Sequence, residues 1–217
     1  MMYRVVFLLL ALLLTAADAE EVAGDGEDGP VYDHAEYIRL SEELEKLAVR
    51  NAWSGVDRMY AAIIGMGATP SPKDHLSGAH SARALGNVTG ARFRLEQANQ
   101  QIEDKEILDW LWDIDSNYGR VSLLADRGKV VLNMDVLPFN PDQRKAVEWA
   151  QHQISETGTF EGFLPQGDYK FGVCPSEKTT PCYDVEVVPR VQSVRIDMRT
   201  HLSFKDDKRK QKKNQRK

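Results

Sequence analysis

The sequence predicts an α+β protein, with N-terminal antiparallel helical hairpins followed by a small antiparallel β unit that carries one inserted helix. Two patterns indicate this class. Apolar residues recur at helical spacing from Asp33 to Asn117, and they alternate with polar residues in short runs from Tyr118 onward. The 217 residues are 42% hydrophobic, which is enough length and apolar content for a buried core. Collagen-like, disulfide-dense and wholly disordered chains are excluded.

Residues 1–19 have the features of a secretory signal peptide. Arg4 supplies a positive start, Val5–Leu14 is an unbroken apolar run, and Ala17–Ala19 is a small-x-small cleavage site. The run is short for a bilayer span, which takes about 20 residues, and an uncleaved N-terminal anchor is the alternative. We expect a periplasmic or secreted protein whose mature chain has no transmembrane span. Residues 20–32 are acidic and glycine-rich, and they are predicted to form a flexible linker.

Residues 33–117 form the predicted helical-hairpin domain. Five helix starts are marked by capping residues, in one case with proline at the first helical position: Asp33 with Glu36, Ser54 with Asp57, Ser71-Pro72 with Asp74, Asn87, and Asp104. Apolar residues follow each start at helical spacing, and glycines at 65, 67 and 86 end two of the runs. Asn87 also opens an N-glycosylation sequon, but its role as a helix cap disfavours that use.

Small residues at a repeat-like spacing mark the third and fourth predicted helices. Leu76, Ala79 and Ala82 precede the turn, and Gly86, Ala91, Leu95 and Ala98 follow a Gly, Ala, large, Ala spacing across it. The second and fourth helices begin about 33–35 residues apart. This pattern resembles a tetratricopeptide-like array over residues 35–100, although His75 stands near the place of the repeat's early aromatic residue. The resemblance implies a protein-binding or packing scaffold, with a generic helical bundle as the alternative.

Residues 118–204 form the predicted β domain, interrupted by a helix at 141–157. Asn140 caps this helix, Pro141 is its first residue, and Gly158 ends it. Residues 160–167 are predicted to be turn-rich. The expected strands are Val121–Ala125, Lys129–Met134, Tyr169–Val173, Tyr183–Val188 and Val194–Met198. The last strand alternates strictly between apolar and charged residues, which indicates an edge strand with one exposed face.

The segment Leu164–Phe171, LPQGDYKF, is similar to the closing strand of PEGA-type and carboxypeptidase-regulatory-like bacterial β domains. The opening segment Tyr118–Leu123 is compatible with the same families. The inserted helix at Pro141 departs from their pattern. The resemblance implies a non-catalytic module of the cell envelope.

Cys174 and Cys182 are the two cysteines of the chain, and a polar, proline-bracketed segment of seven residues separates them. Strand-like runs flank this segment on both sides. Because an exported protein meets an oxidising compartment, we expect a disulfide that closes a hairpin. Two free thiols are the alternative. The spacing fits neither a zinc site nor a Cys-x-x-Cys redox centre.

Residues 205–217 form a predicted disordered basic tail, with eight basic and two acidic residues against an overall charge of −5. Such a tail can bind an anionic surface such as lipid headgroups. The surface-binding candidates are Lys208, Arg209, Lys210, Lys212, Lys213, Arg216 and Lys217. The tail has no aromatic residue to stack on bases, so no nucleic-acid partner is expected. A solubilising tail is the alternative.

Residues that could perform chemistry are few, and the sequence lacks the common nucleophile, phosphate-loop and zinc motifs. His75 and His80 lie on different helix faces, so we expect no shared metal. Asp109 and Asp113 share a face and could act as acid and base, although a solvated edge is the more common outcome.

Asp113, Asp115 and Asn117 resemble the first half of a calcium loop, but the closing acid is missing. The alternative is a helix end followed by a turn into the first strand. Five aromatic residues could line a groove for a sugar or a peptide, with core packing as the alternative: Trp110, Trp112, Trp149, Phe160 and Phe163.

These observations predict an exported, non-enzymatic bacterial envelope protein that acts as a protein-interaction or structural module. An envelope protein is the expected partner, and no cofactor, metal site or catalytic residue is assigned. Two alternatives stay open. One is an exported hydrolase-like enzyme that uses the carboxylates near Asp109, Asp113 and Asp115, and the other is a surface-binding protein that uses the basic tail.

Overall fold

Helices occupy the first part of the described chain and strands most of the second, so the protein is α+β, as the sequence predicts. The computed structural model describes residues 32–125, 130–134, 136–173, 182–191 and 193–199. The predicted signal peptide, nearly all of the acidic linker, Cys174 and the basic tail lie outside the described residues.

Six helices and six strands are formed by the described residues. The helices are α1 (His34–Val49), α2 (Trp53–Gly65), α3 (Pro72–Ala84), α4 (Val88–Gln101), α5 (Lys105–Asn117) and α6 (Pro141–Thr157). The strands are β1 (Tyr118–Leu124), β2 (Val131–Met134), β3 (Thr159–Pro165), β4 (Gly167–Gly172), β5 (Cys182–Val187) and β6 (Val194–Asp197). No helix in this part of the chain has the length and apolar content needed to cross a bilayer.

Side-chain caps begin five of the six helices at the residues that the sequence predicts. Asp33, Ser71, Asn87, Asp104 and Asn140 each accept a hydrogen bond from a backbone N–H of the first turn. These bonds satisfy donors that a helix start leaves free. At the start of α3 the cap is reciprocal, because the carboxylate at position 74 also accepts from the backbone of the cap residue.

The predicted start of α2 at Ser54 with Asp57 is wrong. The helix begins one residue earlier, at Trp53, and Ala52 precedes it without a side-chain cap. A tight turn that ends α1 leads directly into α2: Asn51 adopts a left-handed conformation with φ of 54°, and the Ala52 N–H donates to the Leu47 carbonyl at 3.0 Å.

Small residues let α3 and α4 pack closely as a hairpin. The alanines at 79, 82, 91 and 98 are all buried, with exposed fractions of 0–1%. Ala79, Leu95 and Ala98 belong to one apolar cluster with Ile107 and Ile114 of α5, and Tyr118 and Ala146 join the same cluster. A separate cluster between α1 and α2 includes Leu44, Val56 and Ile63. The helical spacing of apolar residues therefore identifies the buried faces, except at Ile64 of α2, which is 49% exposed.

The two sheets have three strands each, in the orders β3-β1-β6 and β2-β4-β5. The pairs β1–β3, β2–β4 and β4–β5 are antiparallel, whereas β6 lies parallel to β1. The antiparallel prediction is therefore wrong for β6, although β6 is an edge strand as expected. An alternating pattern identifies a strand but does not fix the direction of its neighbour.

The prediction of a turn-rich segment at 160–167 is also wrong, because most of it belongs to β3. Its side chains alternate between buried and exposed positions, but Gly162, Pro165 and Gly167 obscure that period in the sequence. The LPQGDYKF segment is likewise not one strand. It ends β3 in one sheet and begins β4 in the other, with the break at Gln166.

Helix α6 and both sheets share one apolar core. Phe160 and Leu164 enter it from the first sheet, Phe171 from the second and Val147 and Ile154 from α6, and all are buried. The predicted inward face of α6 is confirmed, and the helix ends at Gly158, whose φ of 76° suits glycine.

The helices and the strand region meet along a close seam. A Cβ on Gly86, which follows α3 with φ of +88°, would lie 2.3 Å from the carbonyl oxygen of Lys145 in α6. Arg83 of α3 bonds both Asp113 of α5, at 3.1 Å, and Asp142 of α6, at 3.4 Å. This turn and this guanidinium together fix α3 against α6.

Candidate functional site

The outer face of the β1–β3 pair is covered by helices at one end and open at the other. Side chains alternate along β1, so Tyr118, Arg120 and Ser122 share this face. Tyr118 is buried in the helical cluster, and burial raises its pKa to about 12. Arg120 is exposed, and its cross-strand neighbour is Phe163 of β3. The covering therefore ends between Tyr118 and Arg120.

Two adjoining cavities of about 530 and 370 Å³ open at this boundary. Arg120 and Phe163 line both cavities, so the two form one continuous depression, which we call the outer-face groove. Trp112, Asp115, Arg190 and Val191 line its larger part. Arg92, Phe93, Glu96 and Glu161 line its smaller part.

Arg92 forms the wall of the groove on α4. Its guanidinium bonds Asp115 of α5 at 2.8 Å and also pairs with Glu96 one turn along its own helix. The same group lies over the Phe163 ring, 5.5 Å from the ring centroid. Hydrogen bonds and charge from the two carboxylates raise its pKa, with Asp115 contributing most. Arg92 is thus a neutralised, positioned part of the wall.

The start of α4 is fastened to β3 beside this wall. The Phe163 N–H donates to the Thr89 hydroxyl at 3.2 Å. A Cβ on Gly162 would lie 2.3 Å from the same hydroxyl oxygen, so only glycine allows this approach. Thr89 belongs to the Asn87 sequon, and the Asn87 side chain accepts from the Gly90 N–H at 2.8 Å. Both sequon residues therefore make contacts within the fold.

Trp112 and Arg190 form the other end of the groove. The Trp112 ring is 64% exposed, and the Arg190 guanidinium lies 5.3 Å from its centroid. Arg190 also donates to the Ser116 hydroxyl at 2.6 Å. Its backbone is left-handed, with φ of 60°, which is uncommon for a residue other than glycine. Stacking and the hydrogen bond hold Arg190 over the indole.

The three carboxylates considered for catalysis point to three different cations. Asp109 pairs with Lys105, Asp113 with Arg83 at 3.1 Å, and Asp115 with Arg92 at 2.8 Å. A general acid and base pair needs two groups that can act on one substrate. Each of the three carboxylates is bonded to a cation of its own, and this arrangement does not favour the hydrolase hypothesis.

The calcium hypothesis meets the same obstacle. Helix α5 runs through Asn117 and β1 begins at the next residue, so the expected turn after Asp115 is wrong. Asn117 donates to the Asp113 carboxylate at 2.8 Å, while Asp115 faces Arg92. In the part of the chain that the structure describes, no three acidic, histidine or cysteine side chains gather as a metal site.

The two histidines of α3 lie on different faces, as predicted. His75 is 3% exposed and its Nδ1 lies 2.9 Å from the Tyr60 hydroxyl, and burial lowers its pKa. The His80 ring packs 4.4 Å from the Trp110 centroid, and the loss of water there lowers its pKa.

The predicted aromatic cluster divides between the core and the groove. Phe160 is buried in the core of the strand region and Trp149 packs against it. Trp110 packs against the helical cluster, so core packing is confirmed for these three. Trp112 lines the outer-face groove instead, and Phe163 does both, since it packs against the helical cluster and lines the groove.

The sequence alone does not identify Arg120 and Arg190 as candidate functional residues. Arg120 stands at a polar position of a strand, where any exposed residue would fit the pattern. Arg190 follows Pro189 in a connection, and nothing in its neighbours identifies Trp112 as a stacking partner. Only the fold brings these residues to one surface.

The predicted disulfide and surface-binding residues are not tested by this geometry. Cys182 begins β5 and lies opposite Gly172 in the β4–β5 hairpin, which confirms the strands that flank the cysteine loop. Cys174 lies outside the described residues, so the bond between them stays a prediction. The basic residues from Lys208 to Lys217 also lie outside them.

Comparison of the chain with protein-family models, curated proteins and solved structures gives no match. The tetratricopeptide-like and PEGA-like resemblances therefore stay predictions.

Proposed function

We propose that this chain is an exported, non-enzymatic protein-interaction module, and that the outer-face groove binds its partner. The observation that supports this most is the mostly exposed Trp112 stacked under Arg190 at the edge of a depression. Tryptophan and arginine are the residue types that contribute most to binding energy at protein interfaces. Val191 and Phe93 are also exposed around the same groove, and an exposed apolar patch, unlike a single exposed residue, marks an interaction site.

The surroundings of the groove support binding more than catalysis. Its nearest catalytic candidate, Asp115, is already bonded to Arg92, and Asp113 is bonded to Arg83. The groove walls come from α4, α5, β1 and β3, whose contacts fix them to one another. A prearranged wall lowers the ordering cost of binding. Export is proposed from the sequence of residues 1–19 only.

Site-specific photocrosslinking in the source cell tests the proposal. Benzoylphenylalanine replaces Trp112 in one full-length variant, and in a control variant it replaces Ile38, a half-exposed residue of α1 that does not line the groove. We expect a discrete crosslinked protein from position 112 and none from position 38. The protein is then identified, purified and mixed with the processed chain, and Trp112→Ala should weaken that binding.

Two results would contradict the proposal. One is crosslinking of the same protein from both positions, which indicates non-specific proximity. The other is the absence of a crosslinked partner from position 112 at wild-type expression levels.

A further inference from the structure

Two guanidinium groups on the outer-face groove have no acidic partner in the part of the chain that the structure describes. The side chain of Arg120 makes no hydrogen bond, ion pair or ring contact there, although it lines both cavities. Arg190 contacts only a neutral hydroxyl, that of Ser116, and the Trp112 ring. Both groups therefore keep N–H donors and a full positive charge for a ligand.

Arg92 provides the internal contrast. It lies on the same groove, but two carboxylates neutralise it, those of Glu96 and Asp115. Arg83 and Arg94, which each join one helix to another, also pair with carboxylates. Arg120 and Arg190 depart from that pattern, and both line the larger cavity.

The backbone of Arg190 strengthens this contrast. A left-handed conformation at a residue other than glycine costs of order 1–3 kcal/mol and persists where the surroundings fix it. Here the fixed side chain lies over Trp112, with its free donors beside the cavity. The guanidinium is thus positioned before any ligand arrives, which reduces the entropy lost on binding.

The acidic side chains of the groove restrict which anion can bind. Glu96, Asp115 and Glu161 line it together with the three arginines, so the lining has no net charge. A polyanion such as a nucleic acid strand would bring phosphates against these carboxylates. Single, spaced carboxylates can pair with Arg120 and Arg190 and avoid them. A planar carboxylate also accepts two parallel hydrogen bonds from one guanidinium.

Exposed apolar side chains lie on both sides of these two arginines. Trp112 and Val191 line the larger cavity and are 64% and 59% exposed. Phe93 lines the smaller cavity and is 57% exposed, and Phe163 lies between the two. An extended peptide presents side chains at regular intervals and can place apolar groups and carboxylates along one such path.

We propose that the outer-face groove binds an extended segment of a partner protein in which aspartate or glutamate is flanked by large apolar residues. The carboxylates pair with Arg120 and Arg190, and the apolar side chains pack on Trp112, Phe163 and Val191. This inference rests on the proposed function and adds the chemistry of the bound segment.

Selection from a random peptide library displayed on phage, against the full processed chain, tests the inference. We expect selected peptides to combine acidic with large apolar residues. A synthetic copy of the best peptide should bind at least about tenfold more weakly to Arg120→Ala and to Arg190→Ala, because each change removes the partner of a carboxylate. Replacing the peptide's acidic residues with their amides should have the same effect.

Arg58→Ala is the matched control, since Arg58 is an exposed arginine of α2 that lines neither cavity. It should leave peptide affinity unchanged. All three variants replace exposed residues, so their melting temperatures should match that of the unaltered chain. A single-stranded oligonucleotide and vesicles containing phosphatidylglycerol serve as competing probes, and neither should bind through Arg120.

Three outcomes would overturn the inference: selected peptides without acidic residues, peptide affinity that survives both arginine changes, or oligonucleotide or vesicle binding that Arg120→Ala abolishes. A selection that yields no binder at all has the same consequence. The failure of the broader proposal is separate. If the protein crosslinked at position 112 still binds the two arginine variants, the groove is an interface and only the acidic segment is wrong.

Discussion

Helix α3 and the core of the strand region are stabilised by different kinds of contact. Apart from tyrosine, the buried polar side chains among the described residues are Asp74, His75 and Ser81, and all three belong to α3. The shared core of α6 and the two sheets is built from aliphatic and aromatic side chains, Phe160 and Phe171 among them. Hydrogen bonds hold α3 in place, whereas burial of apolar surface stabilises the core of the strand region.

The polar contacts of the buried residues of α3 reach three other helices. Asp74 accepts hydrogen bonds from Tyr37 and Ser41 of α1 at 2.9 and 2.7 Å. His75 lies beside the hydroxyl of Tyr60 in α2. From α4, Arg94 donates to the carbonyl of Gly78 at 2.7 Å.

The sequence of α3 explains this arrangement. Its buried positions include alanine and glycine, whose side chains bury little apolar area. Apolar burial alone would therefore hold α3 only weakly against its neighbours. Directional hydrogen bonds then fix its rotation and register. The free energy of unfolding should therefore be most sensitive to changes of side-chain polarity in α3 and to changes of side-chain volume in the strand region.

Phe171→Ala should have the largest effect, because it tests the volume side of this comparison. Phe171 is fully buried at the centre of the strand core, so its removal leaves a cavity. We expect the free energy of unfolding to fall by about 3–5 kcal/mol, measured by urea denaturation. Phe139→Ala is the matched control, since Phe139 is 96% exposed. Equal losses from the two changes would contradict the volume argument.

Gly86→Ala should come next, since it tests the seam between the two regions. The added Cβ meets the Lys145 carbonyl, and the φ of +88° disfavours any L side chain. We expect a loss of about 2–4 kcal/mol in the free energy of unfolding. Gly65→Ala, where no atom lies within 4 Å of the added carbon, should be neutral or slightly stabilising. If Gly86→Ala left the free energy of unfolding unchanged, the contact between this turn and α6 would not be as restrictive as we expect.

Asp74→Asn tests the polar side with almost no change in volume. The amide keeps the shape of the carboxylate but brings two donors to a place where Tyr37, Ser41 and Ser71 all donate. We expect the free energy of unfolding to fall by about 1.5–3 kcal/mol, because hydrogen bonds to a carboxylate are lost and donors are left unpaired. Asp168→Asn, at an exposed position of β4, should change little.

The pH dependence of stability should show the smallest effect. Burial lowers the pKa of His75 in the folded state, the Arg94 charge adds to the shift, and the Asp74 charge opposes it. The unfolded chain therefore takes up the proton more readily. Stability from neutral His75 is complete above the usual histidine pKa of about 6.5 and declines as the pH falls below it, by at most about 1.4 kcal/mol per pH unit.

Urea denaturation at pH 7.5, 6.5 and 5.5 measures this slope. It should be shallower in His75→Asn than in the unaltered chain, with a remainder from His80, whose pKa is also lowered. His152→Gln, at an exposed position of α6, should keep the full slope. An unchanged slope in His75→Asn would mean that the imidazole already takes up a proton in the folded state.

Local signals in the sequence predict most of the helices, because caps and period are written in neighbouring residues. Asn140, Pro141 and Gly158 define α6 without reference to any other element. The parallel pairing of β6 with β1 could not be predicted in this way. Its direction depends on where the chain enters the first sheet after β5 in the second, and no local residue records that.

The groove could be predicted only in part, for a related reason. Trp112 and Phe163 are aromatic candidates in the sequence, and the helical period separates Trp112 from Trp110. Two residues along a helix correspond to a rotation of about 200°, so Trp110 packs inward with Ile107 and Ile114 while Trp112 faces out. The period does not show that Phe163 and Arg190 lie beside Trp112 in the fold. Arg120 gains its significance because no carboxylate bonds it although three line the same groove, and only the folded surface shows this.

The close approach of Gly86 to α6 also restricts how this sequence can be recombined. The turn touches the backbone of residue 145 with no room for one more carbon atom, and every amino acid carries that carbonyl. In chimeras that join two parents at the Asn117–Tyr118 junction, the N-terminal parent should therefore need glycine at position 86, whereas the C-terminal parent should be free to vary its side chain at position 145.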